Sequence, residues 1–317
     1  MTVDQPLFLL IDGHALIYRA YHGYPNLNDQ SGRLVNAVYG FSRILLAAIR
    51  NYEPEYLAVA FDHKDPTFRH KAFEAYKAHR EAMPDDLIPQ IDLIKQVVTA
   101  LNIPQFEVSG FEADDLVGTI TKQAAEKEQV TTVVVTGDKD LLQLVDDHTK
   151  VFIPARGKFG KDILYNSKRV EEKMGVLPNQ VPELKGLMGD ASDNIPGVKG
   201  VGKKTATKLI QSFSSVDILY KQLDTKDDEV LVKTGKETGL SKSVLSKLRQ
   251  DKEKAFISTE LATISRQAPI TLDLAACTVK EYDKQKILDL FSELNFHSLQ
   301  GLLPEDQFET ALQSTLF

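Results

Sequence analysis

Residues 7–13 read Leu-Phe-Leu-Leu-Ile-Asp-Gly, five consecutive apolar residues running straight into an aspartate and a glycine. An unbroken apolar run of that length fits a strand buried on both faces, and it is too short to cross a membrane. The pattern recurs twice. Residues 56–61, YLAVAF, run into Asp62, and residues 131–136, TTVVVT, run into Gly137 and Asp138. Between these runs the apolar period is helical. Val35, Val38, Phe41, Leu45 and Ile49 mark a helix within 33–51, and Leu87, Ile91, Ile94 and Val98 mark one within 87–101. A further helix is expected after Glu112. Strands alternating with helices imply βαβ units, so the expected fold class is α/β, with a mostly parallel central sheet flanked by helices.

Beyond about residue 178 helical patterning takes over. A glycine-rich hairpin falls at 197–202, and the polar stretch 224–242 reads as a loop. A helix is expected near 243–256 and a last amphipathic one at 284–299, carried by Ile287, Leu288, Leu290, Phe291 and Leu294. The expected organisation is an α/β domain over 1–178, a helical subdomain over 179–303 and a tail over 304–317. The length, 317 residues, fits about two domains. With 42% hydrophobic and 26% charged residues the chain can bury a real core, which excludes the disordered and low-complexity classes. A single cysteine, Cys277, excludes an intrachain disulfide and a thiolate zinc cluster. Nothing approaches the roughly 20 apolar residues of a spanning helix, and Asp4 rather than a basic region precedes the first apolar run. No membrane partner is expected, and a cytoplasmic setting is. The net charge is 38 − 45 = −7. That weighs against a nucleic-acid partner unless the acids are concentrated in one place.

The acids are concentrated. Asp12, Asp62 and Asp138 each follow a strand-like run, and ligands of open parallel sheets bind at the carboxyl ends of strands. Glu112, Asp114 and Asp115 crowd a helix start, with 112 and 115 on one face. Asp138 and Asp140 point the same way if the strand continues through them, and Asp190 and Asp193 share one side of a helical turn. A capping or turn role accounts for one or two such acids but not for nine. Carboxylates about 4 Å apart repel by roughly 4 kcal/mol at an effective dielectric near 20, and divalent cations remove that penalty. An all-oxygen donor set suits Mg²⁺ or Mn²⁺. Two such ions can activate water and stabilise the leaving oxygen of a phosphodiester.

Two basic elements complete the pattern. Residues 69–80, RHKAFEAYKAHR, interleave cations with aromatics, and as a helix they line up Phe73, Tyr76, Lys77 and Arg80 as a phosphate-and-base platform. Arg19, just past Asp12, is within reach of the same phosphate. Residues 194–206, NIPGVKGVGKKTA, read as the hairpin of a helix-hairpin-helix over about 190–212. Gly197, Gly200 and Gly202 permit close backbone approach. A helix beginning near Lys203 and carrying Thr205 offers free N–H groups to phosphate, and Lys199, Lys203, Lys204 and Lys208 add charge.

Taken in order, the segments LLIDGHALIYRAYH, NAVYGFSRILL, AVAFDHKDPTFRHKAFEAYKAHR, GFEADDLVGTI, VVVTGDKDLLQLV and MGDASDNIPGVKGVGKKTATKLI resemble the 5′-nuclease (flap endonuclease) family. The likeness covers most of residues 6–303 and is strongest to members that form the N-terminal 5′→3′ exonuclease region of bacterial DNA polymerases. It implies a PIN-like or resolvase-like sheet, a helical arch near 66–86 and a metal-dependent 5′→3′ exonuclease and flap endonuclease. On that likeness Asp12, Asp62, Glu112, Asp114, Asp115, Asp138, Asp140, Asp190 and Asp193 hold two or more divalent ions. Lys77 and Arg80 steer the scissile phosphate, with Tyr76 beside them and Arg19 nearby. Backbone carbonyls near Val198 and Val201 hold K⁺. The implied partners are DNA with 5′ flaps, nicks or 5′ ends, RNA–DNA primers, and a DNA polymerase in the same chain or in trans. The implied roles are primer removal and repair at the bacterial nucleoid, as a monomer. Segment 224–242 departs from the family by being longer and more polar. Two other readings stay open on the residues alone: a PIN-like ribonuclease, and a module that binds branched DNA without cutting it.

Overall fold

The computed structural model describes residues 6–126, 130–155, 160–233 and 235–304. Strand β1 (Leu7–Asp12) lies inside a six-stranded sheet, because its residues alternate between two separate cores. Phe8 and Leu10 face one, and Leu9 and Ile11 the other, all fully buried. β2 (Tyr56–Ala60) and β4 (Thr131–Val135) flank β1 in parallel register, with Leu10 opposite both Ala58 and Val134. Outside them lie β3 (Gln105–Phe106), β5 (Thr149–Ile153) and β6 (Ile163–Tyr165). The order is β3-β2-β1-β4-β5-β6, and only β6 runs antiparallel. The chain leaves β1 first to one side and later to the other. This makes the carboxyl end of β1 a topological switch point and opens a crevice there.

The helices expected from periodicity form at Asn36–Tyr52, Ile88–Ala100 and Ala113–Glu126. The first two join helix Gly13–Gly23 on one face of the sheet, and the third covers the other face. The core beneath Ala113–Glu126 continues without a break into the C-terminal part. There Val181–Met188, Lys203–Phe213 and Val216–Thr225 contribute Leu184, Leu209 and Leu219 to it.

Three C-terminal expectations change. Segment 224–242 is not a loop: past helix Val216–Thr225 it folds into short helices Asp228–Lys233 and Gly235–Thr238. Its few apolar residues suffice, because Leu231 and Leu240 are buried in the common core. The single helix near 243–256 is two, Lys242–Gln250 and Lys252–Ala262. They meet at buried Asp251, whose carboxylate accepts the Lys199 N–H at 2.9 Å. The 284–299 helix breaks into Lys284–Glu293 and His297–Gln300, where Asn295 takes φ 61. This last pair also packs differently from the rest of 179–303. Ile287, Phe291, Leu294 and Phe296 sit in the core under the opposite face of the sheet, with Leu9 and Ile11. The expected tail beyond Pro304 lies outside the described residues. Among the described residues no helix is long and apolar enough to cross a membrane.

Phe291 is fully buried in that core. Phe291→Ala is expected to lower the unfolding free energy by about 3–5 kcal/mol, in one transition with the sheet. Urea denaturation followed by circular dichroism measures it. A loss below about 1 kcal/mol would detach the C-terminal return from the α/β unit.

Candidate active site

β1 ends on Asp12, which also caps helix Gly13–Gly23. One carboxylate oxygen accepts the Ala15 N–H at 3.2 Å, and the other accepts the Thr136 hydroxyl at 2.6 Å. The turn after β4 can come this close only through Gly137, where a Cβ would sit 2.9 Å from the Ala15 carbonyl oxygen. Asp138 follows. Its N–H donates to Thr136 Oγ1 at 2.9 Å, and its Oδ1 accepts the Asp140 N–H at 2.9 Å. Asp140 therefore begins a 3-10 helix rather than extending the strand, and the expected alternation of 138 and 140 does not occur. Asp62, just past β2, accepts the Ala113 N–H at 2.6 Å, and its own N–H donates to His14 Nδ1 at 2.8 Å. Asp190 pairs through its backbone with Ile195, clipping residues 190–195 into a tight turn instead of a helical one.

These residues line one cleft of about 570 Å³ at the carboxyl ends of the strands. Asp12, Asp62, Glu112, Asp114, Asp138, Asp140, Asp190 and Asp193 all border it, and so do Arg19, Lys77 and Arg80. Its electrostatics divide into two parts. In the first, burial pushes the Asp12 carboxyl up to about 7, with the Asp62 and Asp138 charges adding to the rise against the Thr136 hydrogen bond. Asp114 is raised well above the ordinary range by burial and by Asp12 and Asp138. In the second, the protein's own cations sit among the acids. Lys185 Nζ bonds both Asp140 and Asp190. Burial opposes its charge, but the two carboxylates outweigh that and raise its pKa. Lys77 Nζ lies 2.8 Å from Glu112, and Arg80 lies 2.5 Å from Asp193. Burial and Asp138 still push Asp140 up to about 6, against the pull of Lys185.

Among the described residues no three acid or imidazole side chains stand close enough together, as they are, to cage an ion. The donor set nevertheless fits a hard divalent cation. It is all carboxylate, and burial together with neighbouring carboxylates, Asp62 and Asp138 for Asp12 and Asp12 and Asp138 for Asp114, raises the proton affinity of Asp12 and Asp114.

Other site expectations are corrected. Asp115 does not border the cleft. It is fully buried, and Arg69 clamps it with two 2.8 Å bonds. Segment 66–86 is helical only over Phe68–Ala72; residues 73–80 are successive turns, with Lys77 at φ 55. Tyr76 is not an exposed stacking platform. It is 3% exposed, packs with Ile195, Leu261 and Ala262, and points its hydroxyl at Glu112 (3.2 Å) and Asp193 (3.4 Å). The Arg19 guanidinium is held by the Pro154 carbonyl at the cleft wall. Lys185 was missed in the sequence. Its signal is a lone cation inside the apolar run VPELKGLM, five residues before Asp190.

The hairpin lies outside the cleft lining. Gly197 takes φ 59, and a Cβ there would meet the Gly189 nitrogen at 2.2 Å. Gly200 takes φ 77, and its carbonyl accepts Lys247 Nζ at 3.1 Å. Val198 and Val201 bury their side chains, and the Val198 carbonyl accepts the Val201 N–H. Gly202 opens helix Lys203–Phe213, with Lys199, Lys203 and Lys204 exposed and Thr205 half-buried beside them.

Residues 7–175 match the model of the 5′-3′ exonuclease N-terminal resolvase-like domain, and residues 176–285 match that of the 5′-3′ exonuclease C-terminal SAM fold. The chain is 42% identical over 303 residues to DNA polymerase I of Chloroflexus aurantiacus, covering 94% of this chain and 30% of that protein. It is 39% identical over 313 residues to DNA polymerase I of Bacillus subtilis, covering 99% of this chain and 34% of that one. It thus spans about a third of the length of these relatives. A bacteriophage T5 flap endonuclease, solved with DNA and metal ions, shares the fold. Its TM-score is 0.64 at 19% identity, over 91% of this chain and 99% of that one.

Asp12 binds its proton more tightly in the folded than in the unfolded chain, so metal-free stability falls as pH rises from about 4 to about 7 and stays low above. Asp12→Asn and Asp114→Asn should each raise the metal-free melting temperature at pH 8 by several degrees, read by differential scanning fluorimetry in EDTA. Unchanged or lowered values would contradict the crowding. Arg69→Met leaves Asp115 buried without its partner and should cost about 3–5 kcal/mol in chemical denaturation.

Proposed function

The chain belongs to the 5′-3′ exonuclease family, and from that membership and the cleft we propose a structure-specific 5′-nuclease that hydrolyses phosphodiesters with divalent cations. The observation that carries this reading is the crowding of Asp12 and Asp138, at the ends of parallel strands, with Asp114 from the start of helix Ala113–Glu126, beside Lys77 and Arg80. Those three acids, joined by Glu112, Asp62, Asp140, Asp190 and Asp193, would hold two or more Mg²⁺ ions, with Mn²⁺ able to substitute. Bound there, the ions supply an activated water and charge stabilisation at the leaving 3′ oxygen.

The chain's own residues do the rest. Lys77 and Arg80 neutralise Glu112 and Asp193 as they stand, and they would transfer that charge to an incoming phosphate, stabilising the negative charge that builds on it. Arg19 adds a cation at the wall. Thr136 and the Ala15 and Ala113 N–H groups fix the directions of Asp12 and Asp62. The exposed lysines and free N–H groups at the start of helix Lys203–Phe213 would grip duplex backbone without reading bases.

The substrates we propose are DNA with 5′ flaps, nicks or 5′ ends and RNA–DNA primers, cut during primer removal and repair in concert with a DNA polymerase. The length of the relatives and the T5 enzyme's complex with DNA support this reading.

A 5′-labelled double-flap DNA should be cut near the junction with Mg²⁺ and not with EDTA. Asp138→Asn should abolish cutting, and Lys77→Ala should slow the single-turnover rate on the order of 10²–10³-fold. Tight binding without cutting would replace the nuclease with a binding module. Faster cutting of single-stranded RNA than of flap DNA would favour a ribonuclease.

A further inference from the structure

Segment 73–80 carries both cations proposed to steer the phosphate, yet it has no regular secondary structure to hold them. Beyond its own turn hydrogen bonds, its backbone is held from outside by the two residues that lead into the hairpin. The Lys77 N–H donates to the Asp193 carbonyl at 2.9 Å. The Asn194 side-chain amide donates to the Ala75 carbonyl at 2.6 Å. These two bonds bracket Tyr76, whose ring is buried against Ile195, the next residue of the same turn.

Both ends of the link adopt the left-handed backbone conformation, Lys77 at φ 55 and Asn194 at φ 57. Asparagine tolerates that conformation and lysine does not favour it, so the Lys77 geometry needs an external hold. The same turn continues directly into the hairpin. Ile195 pairs with Asp190, the Gly197 N–H donates to Ser258 Oγ at 2.9 Å, and Lys199 is tied to Asp251.

We infer that Asn194 is a positioning residue that couples the duplex-gripping hairpin to the cleft, holding Ala75 so that Lys77 points its ammonium at the carboxylates. The inference rests on the nuclease reading above. Load applied to the hairpin by a bound duplex is transmitted through Asn194 and Asp193 to the segment that carries Lys77 and Arg80. No other side chain among the hydrogen bonds of the described residues donates to the backbone of 73–80.

Asn194→Gly tests this without backbone strain, since glycine accepts the left-handed conformation and lacks only the amide. Flap-DNA affinity, measured by anisotropy with Ca²⁺, should change less than twofold, while the single-turnover cleavage rate with Mg²⁺ should fall at least tenfold. In a Lys77→Ala background the same substitution should cost less than a further twofold, because it acts through Lys77. Trypsin should also cut the 77–78 bond several-fold faster in metal-free Asn194→Gly than in the parent protein. An unchanged cleavage rate, full additivity with Lys77→Ala, or unchanged proteolysis would overturn the inference. If the parent protein cuts no flap DNA while the 77–78 bond still loosens in the variant, the nuclease reading fails and the link from Asn194 to the segment stands.

Discussion

Like charge crowded at the carboxyl ends of parallel strands is the constraint to which the rest of the molecule responds. β1, β2 and β4 all deliver an aspartate to the same crevice, and the start of helix Ala113–Glu126 adds two more acids. Part of the repulsion is met by hydrogen bonds from Ala15, Thr136 and Ala113. Part is met by three cations brought from elsewhere in the chain: Lys77, Arg80 and Lys185. Burial and the charge that remains uncompensated raise the proton affinities of Asp12, Asp114 and Asp140. A site that holds its own acids at this electrostatic cost is suited to cations it does not itself contain.

Charge pairing also attaches the helical part to the sheet domain. Asp115, one residue from the crowded group, faces the other way and binds Arg69. The Arg69 guanidinium also donates to the Leu261 and Thr263 carbonyls, while Asp115 accepts the Ser265 N–H. Gln143 adds bonds to the Ala262 carbonyl and the Ile264 N–H. A buried ion pair with its remaining hydrogen-bonding groups satisfied fixes one relative placement of its elements, where apolar contact alone would tolerate several. The continuous apolar core beneath supplies the bulk of the stabilisation, and this polar joint fixes residues 261–265 against Arg69, Asp115 and Gln143.

Local pattern in the sequence marked the parallel sheet, the three long helices of the α/β part, the hairpin and nine acids, of which eight border the cleft and Asp115 does not. Each of these is written in local terms: apolar period, β-branched runs, glycines and a carboxylate directly after a strand. Strands β3 and β6 carry too few residues for a period to show, β5 is interrupted by Lys150, and the helices Asp228–Lys233 and Gly235–Thr238 depend on Leu231 and Leu240. Which neighbour each charged group finds is set by the packing of distant segments. Asp115 looks like Asp114 in the sequence, but the 100° step between successive helical residues turns it from the cleft toward Arg69, 46 positions earlier. Lys185 is an ordinary helical lysine until residues 140 and 190 close on it. Local pattern fixes backbone conformation because it depends on residues a few positions apart. Charge pairing depends on distances through space, and those exist only once the chain has folded.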